Sequence, residues 1–307
     1  MKKIITQIIS IILMISGSLI ASNQSARAIN LYGTWQYFDD SPNDSLDGHG
    51  GSTNELYGIT SMEDANFIYI VFNSQFPLNG LPSNGANDGN INYGDIFLNF
   101  SPGLSLNAAI NQGSVYGVQF APGNNSGVFS GVWGDITLAS VAAQNNGYYL
   151  QGYYNTLNNT LGRDKDGGQM FGYMSKDEFS SYMSYQPKPA GQYQPTPNVI
   201  GASNKKIAEI TTLNKQELLK LGLDLSKFSV VGSDLVGVKF DKTGLPVSDL
   251  IISLLLNCNN DGLTGYHQRS QKPPIEVPEP GTILGFMVLI GVLLSNKRVE
   301  KSGLKAE

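Results

Sequence analysis

Short runs of β-branched and aromatic residues, each closed by a cluster of Asn, Asp, Gly or Pro, constrain the fold of this chain most strongly. Residues 67–72 form one such run, which is too short for a helix. Residues 95–100 alternate polar and apolar side chains, as a half-buried strand does. Further strands are predicted at residues 116–120, 135–140, 147–154, 235–240 and 249–257. Regularly spaced short strands with such turns predict an all-β fold, an antiparallel β-sandwich of jelly-roll type.

One helix and one Pro-rich loop interrupt this pattern. Residues 211–220 are predicted to form one short helix, with Asn214 or a preceding Thr as its N-cap and Gly222 at its end. Residues 186–204 contain four prolines, and because strands resume after them, we predict a loop inside one domain. The predicted domain spans residues 29–266.

The N-terminus has the three regions of a secretory signal peptide. Two lysines follow Met1, residues 4–20 are almost wholly apolar, and the small-x-small pattern of Ala26 and Ala28 comes next. We therefore predict that residues 1–28 direct the chain to the Sec translocon and are removed by signal peptidase. The alternative, an uncleaved anchor or a buried helix, is disfavoured because the apolar run is short and ends at a cleavage-like pattern.

The C-terminus has a different three-part pattern. A Pro-rich linker at residues 267–280 precedes an apolar helix at residues 281–295 and a basic tail at residues 296–307. A hydrophobic helix followed by basic residues stops translocation and leaves the tail in the cytoplasm, although this apolar run is shorter than the ~20 residues of a full span. The alternative, an amphipathic core helix, is disfavoured because the run has no polar stripe. We expect transient anchoring in the inner membrane.

The motif directly before this helix carries a resemblance. Residues 277–282 read VPEPGT, and together with the helix and basic tail they resemble the PEP-CTERM sorting signal. The resemblance implies that Pro278, Glu279 and Pro280 are recognised by an exosortase, an integral-membrane cysteine peptidase or transpeptidase. It also implies cleavage near this motif and loss of the helix. The tail is longer and less basic than the Arg-rich end usual in that family.

The body of the chain also resembles a family of exosortase-dependent surface proteins. The segments that carry this second resemblance are residues 35–40, 55–59, 90–100, 238–241 and 257–262. The family has no catalytic residues to transfer to this chain. The resemblance implies a position at the cell surface or in the extracellular matrix, with exopolysaccharide as an expected partner.

Few residues are suited to catalysis. His49 lies in a Gly-rich loop that would hold a catalytic base poorly, and the sequence places His267 in the linker. Cys258 is the only cysteine, so an intrachain disulfide is excluded. Asp95 and Asp135, each in an aromatic-Gly-Asp-Ile pattern, are the one symmetrical carboxylate pair. We predict no catalytic residues and, since the net charge is −5 and no basic cluster is present, no nucleic-acid partner.

One loop is suited to calcium. It is crowded with carboxylates, the hard oxygen ligands that Ca²⁺ prefers, at Asp39, Asp40, Asp44 and Asp47. Residues 164–167 and 257–262 look like fragments of EF-hand loops, but both fail that pattern in the ligand positions around them. Asp and Asn also favour solvated turns, which is the alternative interpretation. We expect no cofactor other than a structural Ca²⁺ ion in this loop.

Three hypotheses on function follow from the sequence. The first is an exported, non-enzymatic protein of the cell surface or extracellular matrix. The second is a secreted carbohydrate-binding module that uses exposed aromatic rings, with or without Ca²⁺. The third is a secreted hydrolase that uses Asp95 and Asp135.

Overall fold

A computed structural model describes residues 32–45, 52–150, 152, 171–184 and 194–270 of the chain. Up to Arg269 these residues belong to one compact unit, Leu31–Arg269. Several sequence predictions lie outside the described residues. They are the signal peptide with Ala26 and Ala28, Asp47, His49, residues 164–167, residues 186–193 of the Pro-rich loop, Pro278, Glu279, Pro280, the helix at residues 281–295 and the tail at residues 296–307. Within the described residues, no helix combines the length and the apolar character needed to span a bilayer.

The described residues form fifteen strands and three fully described α-helices. The strands are β1 (Gln36–Asp39), β2 (Leu56–Glu63), β3 (Phe67–Ser74), β4 (Leu81–Pro82), β5 (Asn90–Ile91), β6 (Ile96–Asn99), β7 (Val115–Gln119), β8 (Gly131–Gly134), β9 (Thr137–Ala139), β10 (Val199–Ala202), β11 (Lys205–Ala208), β12 (Ile210–Leu213), β13 (Asp234–Asp241), β14 (Leu250–Leu255) and β15 (Gly262–His267). The helices are α1 (Leu106–Asn111), α2 (Lys176–Tyr182) and α3 (Lys215–Lys220), and 3₁₀ turns occupy Ala142–Gln144 and Leu225–Lys227.

Two antiparallel sheets dominate the structure. The first has the strand order β1-β2-β3-β13-β12, and the second has the order β11-β8-β7-β6-β14-β15. Strands β9 and β10 form a two-stranded ribbon, as do β4 and β5. Strands distant in sequence are neighbours in both sheets, since β3 pairs with β13 and β6 with β14. This architecture confirms the all-β prediction.

Strand β3 explains why its sequence is an unbroken apolar run. Ile68, Ile70 and Phe72 point into a core shared with the second sheet. Tyr69 and Val71 point to the opposite face, into a smaller apolar cluster that includes a residue of α3. Because successive side chains of a strand face opposite sides, a strand covered on both faces loses the polar alternation of a half-exposed one.

Strand β14 of the second sheet is also covered on both faces. Ile252 belongs to the shared core, whereas Ile251 packs into a separate cluster with Leu106 of α1 and Phe179 of α2. The two sheets therefore enclose the main core, and short helices cover part of each outer face.

The predicted helix is present but begins later than expected. Helix α3 starts after Asn214, whose side chain accepts hydrogen bonds from Gln216 N (2.9 Å) and Glu217 N (3.0 Å). Glu217 Oε2 accepts a reciprocal bond from Asn214 N at 2.8 Å, which completes a capping box. The N-cap prediction is confirmed, but residues 211–213 belong to β12, where β-branched threonines suit the extended backbone.

The expectation of a single helix is wrong. Helix α1 has Ser105 as its N-cap, and α2 has a capping box between Ser175 and Glu178. Both helices are short, so their caps are a clearer sequence signal than their apolar periodicity.

Three further expectations need correction. Val199–Ala202, within the predicted Pro-rich loop at residues 186–204, forms β10, because its backbone pairs with β9. Residues 147–149 form no strand and Leu150 is helical, because Gly147 and Tyr148 donate backbone hydrogen bonds to irregular segments and not to a neighbouring strand. His267 lies in β15 and not in a linker, because its position pairs with Leu250 of β14.

Candidate metal centre

Three aspartates from distant parts of the chain meet at one buried point. Asp40 directly follows β1, Asp44 lies in the next turn, and Asp261 ends the connection between β14 and β15. One carboxylate oxygen from each lies within 4.8 Å of the others. None of the three residues is more than 6% exposed. We call Asp40, Asp44 and Asp261 the acidic cluster.

Backbone amides hold two members of the acidic cluster in place. Asp261 accepts hydrogen bonds from Leu56 N and from Gly262 N, each at 2.7 Å. Asp40 Oδ1 accepts one from Gly172 N at 2.8 Å. Gly172 has a φ of 62°, and a Cβ atom there would lie 2.4 Å from Thr264 O, so this approach requires glycine.

A fourth carboxylate adjoins the acidic cluster. Glu55 is fully buried, and its Oε1 accepts a hydrogen bond from Asp44 N at 3.1 Å. Burial is the main cause of the raised pKa values of Asp40, Asp44 and Asp261, and the negative charge of Glu55 adds to it in all three.

The electrostatics of the acidic cluster are unfavourable for three negative charges. Burial, followed by repulsion from Asp44 and Asp261, raises the pKa of Asp40 well above its usual range. Burial likewise raises the pKa of Asp44 and of Asp261, with neighbouring carboxylates adding to the effect. No lysine or arginine among the described residues forms an ion pair with Asp40 or Asp261.

Two buried oxygens, one in the acidic cluster and one on a residue next to it in sequence, have no hydrogen-bond partner among the described residues. Asp40 Oδ2 is one, and Asn260 Oδ1, adjacent in sequence to Asp261, is the other. The donor atoms here are all carboxylate or amide oxygens, which suit a hard cation such as Ca²⁺.

A second buried acidic group is organised differently. Glu63 Oε2 contacts Arg269 Nε at 2.8 Å and Lys242 Nζ at 3.1 Å. We call Glu63, Lys242 and Arg269 the paired site. His267 lies beside it, with one ring nitrogen 2.9 Å from Ser61 Oγ, and burial lowers the pKa of His267 to about 4.

The two aspartates of the repeated aromatic-Gly-Asp-Ile pattern differ in burial and in their partners. Asp95 is fully buried and accepts hydrogen bonds from Asn124, Ser126 and the backbone of Ile200, while burial raises its pKa to about 6. Asp135 has a 60% exposed side chain and forms an ion pair of 3.1 Å with a surface lysine. The two carboxylates therefore do not share one cleft in the part of the chain that the structure describes.

The predicted calcium ligands divide between two places. Asp40 and Asp44 join the acidic cluster, whereas Asp39 accepts hydrogen bonds from the backbone and hydroxyl of Ser229. Asp39 ends β1, and successive side chains of an extended backbone point to opposite sides. Asp261 was missing from the predicted set, although its segment had the composition of a calcium loop.

A small polar cavity is lined in part by sequence neighbours of Glu55 and Asp261. It has a volume of about 280 Å³ and is lined by neutral residues, namely Thr53, Asn54, Leu81, Pro82, Ser83, Ile91, Asn146, Tyr148 and Asn260. Asn54 and Asn260 are the sequence neighbours of Glu55 and Asp261. The lining combines amides and hydroxyls with an aromatic and aliphatic wall.

Comparisons of the chain with protein-family models, with curated proteins and with solved structures find no match.

Proposed function

We propose that this protein is an exported, non-enzymatic component of the cell surface or extracellular matrix, sorted by an exosortase through Pro278, Glu279 and Pro280. The Sec translocon exports the chain, signal peptidase removes residues 1–28, and the terminal helix holds the protein briefly in the inner membrane. The mature product is a jelly-roll-like β-sandwich located near exopolysaccharide.

One observation carries this proposal: the compact unit Leu31–Arg269 fills almost the whole chain between the predicted cleavage site and the Pro-rich linker. Both ends of the unit are tied to the end of β2. Gly33 N donates to Glu63 O at 2.8 Å, and Arg269 Nε donates to Glu63 Oε2 at 2.8 Å. A domain whose ends are fastened to its own sheet suits a protein that loses both terminal segments.

The non-enzymatic part of the proposal has its own support. Burial lowers the pKa of His267 to about 4 and raises the pKa of Asp95 to about 6. Both are fully buried and hydrogen-bonded within the sandwich, where a substrate has no access.

The sorting step is tested by Glu279→Ala in a host that encodes an exosortase. The measurements are the intact mass of the C-terminus and immunoblots of membrane and surface fractions. We expect the wild type to lose its terminal segment and the variant to retain it in the membrane fraction. Glu300→Ala, in the basic tail, is the matched control and should be processed normally. Normal processing and surface display of the Glu279 variant would refute the role of the motif.

Carbohydrate binding is the second candidate function, and the cavity favours it. Neutral amides and hydroxyls beside an aromatic ring suit an uncharged, hydroxylated ligand, and the volume is just below the ~300–1,000 Å³ of pockets for drug-sized ligands. Tyr148→Ala should abolish binding on a glycan array, whereas Tyr32→Ala, outside the cavity, should not. A wild-type protein that retains no glycan would exclude this candidate.

A further inference from the structure

We propose that the acidic cluster binds one structural Ca²⁺ ion, which joins the segment after β1 to the connection between β14 and β15. Asp40, Asp44 and Asp261 each supply a carboxylate oxygen. This inference goes beyond the proposed function, because it holds whether or not the protein is sorted by an exosortase.

The spacing of the three carboxylates fits a common ion. Oxygens bound to Ca²⁺ lie about 2.3–2.6 Å from it, so two ligands of one ion are at most about 5 Å apart. The oxygens of Asp40, Asp44 and Asp261 lie within 4.8 Å of one another. Small side-chain movements are therefore sufficient for all three to contact one ion.

Asp40 provides an observation that is independent of the clustering. Its Oδ1 accepts a hydrogen bond from Gly172 N, but Oδ2 is buried without a hydrogen-bond partner among the described residues. A buried carboxylate oxygen without a partner is costly, because it has lost its hydration and gained nothing. Binding to a cation removes that cost.

The amide next to Asp261 in sequence also has a buried oxygen without a partner. Asn260 is 3% exposed, and its Oδ1 lacks a hydrogen-bond partner in the part of the chain that the structure describes. Its side chain lines the polar cavity with Asn54, so Asn260 is not assigned as a ligand of the ion.

The ligand atoms distinguish Ca²⁺ from other cations. Zn²⁺ prefers imidazole and thiolate ligands, yet the described residues place His267 against Ser61, and Cys258 is not a member of the acidic cluster. Mg²⁺ usually keeps several bound waters, which a cluster with all three residues nearly inaccessible to solvent does not favour. Ca²⁺ accepts several carboxylates in an irregular geometry.

The alternative is a group of turn residues that remain solvated. Aspartates are common in turns, where water solvates their carboxylates and no metal ion is needed. Asp135 is an exposed aspartate of this kind, with a 60% exposed side chain. Asp40, Asp44 and Asp261 differ because they are almost completely buried.

The first test measures the metal content of the purified full-length protein by mass spectrometry, followed by calorimetric titration of the EDTA-treated protein with Ca²⁺. We expect one Ca²⁺ per chain and saturable binding. Wild-type protein that neither contains nor binds Ca²⁺, or that contains one Zn²⁺ instead, would overturn the proposal. This measurement requires no variant to fold.

The second test uses Asp40→Asn, which retains an acceptor oxygen for Gly172 N and replaces Oδ2 with an amide. We expect Ca²⁺ affinity to fall by roughly tenfold or more, since affinity depends on the number of charged ligands. In EDTA the variant should melt at the same or a higher temperature than the wild type, because it has less repulsion. In Ca²⁺ the order should reverse.

Asp135→Asn is the matched control, since it removes an exposed aspartate and should leave both affinity and the calcium-dependent melting shift unchanged. If Asp40→Asn binds Ca²⁺ as tightly as the wild type does, the cluster is not the site. The sorting proposal is unaffected by that outcome.

Discussion

The acidic cluster and the paired site bury carboxylates in the same sandwich by opposite means. In the paired site, Glu63 is 1% exposed and is contacted by both Arg269 and Lys242. In the acidic cluster, Asp40 and Asp261 have no described cationic partner and face other carboxylates. Burial of a charge is costly in both places, and the paired site offsets that cost with two cationic side chains.

The two sites therefore depend on solution conditions in different ways. The paired site contains its own opposite charges, so its contribution requires no bound ion. The acidic cluster, if it binds Ca²⁺ as proposed, contributes only as much as the concentration of the ion allows. Four predictions follow from this contrast.

The largest effect is expected from Glu63→Gln. Removing one partner of a buried ion pair leaves Arg269 and Lys242 without their counter-charge, which costs about 3–5 kcal/mol. The free energy of unfolding in urea measures this loss. If the variant is as stable as the wild type, the paired site does not stabilise the fold.

The next effect is the response of the wild type to calcium. At a free Ca²⁺ concentration one hundred times the Kd, stability should rise by about 2.7 kcal/mol over EDTA. Glu63→Gln should retain the whole rise, because it leaves the acidic cluster intact. Loss of the calcium response in that variant would show that the two sites are coupled.

A smaller effect concerns pH and His267. Its pKa of about 4 in the folded protein lies below the value of 6.5 expected for an unfolded chain. The folded state therefore binds fewer protons between these pH values, and stability falls as the pH decreases from 6.5 towards 4. By pH 5 the loss contributed by His267 alone, taken as the difference between the wild type and a variant without the ring, should reach about 2 kcal/mol.

The histidine prediction is checked by urea unfolding between pH 7 and 4.5. His267→Gln removes the titrating ring and should remove the histidine's contribution to the slope. Asp95, whose pKa burial raises to about 6, still titrates in this range and changes stability in the opposite direction. An unchanged slope in the variant would assign the acid sensitivity to other groups.

The smallest effect is expected from the exposed ion pair of Asp135 and Lys205, whose side chains are 60% and 51% exposed. Exposed pairs contribute about 0–1 kcal/mol, because water and salt screen them. Asp135→Asn should therefore change the urea midpoint very little. A large loss would mean that the contrast between buried and exposed charges is weaker than the geometry indicates.

The strands could be predicted from sequence because their signals are local. The runs at residues 67–72 and 235–240 became β3 and β13, but nothing in either run indicated that the two would pair. Helices α1 and α2 each span less than two turns, so the sequence repeats their apolar spacing too few times to reveal it. Helix α3 is equally short, and its cap residues made it predictable.

The candidate site could be predicted only in part. Asp40 and Asp44 lie in one loop, and the sequence indicated that loop correctly as a place of clustered carboxylates. Asp261 belongs to the acidic cluster although it lies in a connection distant in sequence. Asp39 does not belong to it, because its side chain points to another side of the chain. Both facts depend on tertiary structure, which composition does not reveal. The same limit applies to Asp95 and Asp135, whose sequence surroundings are alike and whose burial is opposite.

The position of Asp261 makes the acidic cluster depend on contacts between distant parts of the chain. The bond from Leu56 N to Asp261 Oδ2 joins residues 205 positions apart. During synthesis, Asp40 and Asp44 leave the ribosome early. Asp261 follows only after most of the chain has been synthesised. Contacts so distant in sequence form slowly. A chain truncated before the last hairpin lacks Asp261 and therefore cannot assemble this group of carboxylates.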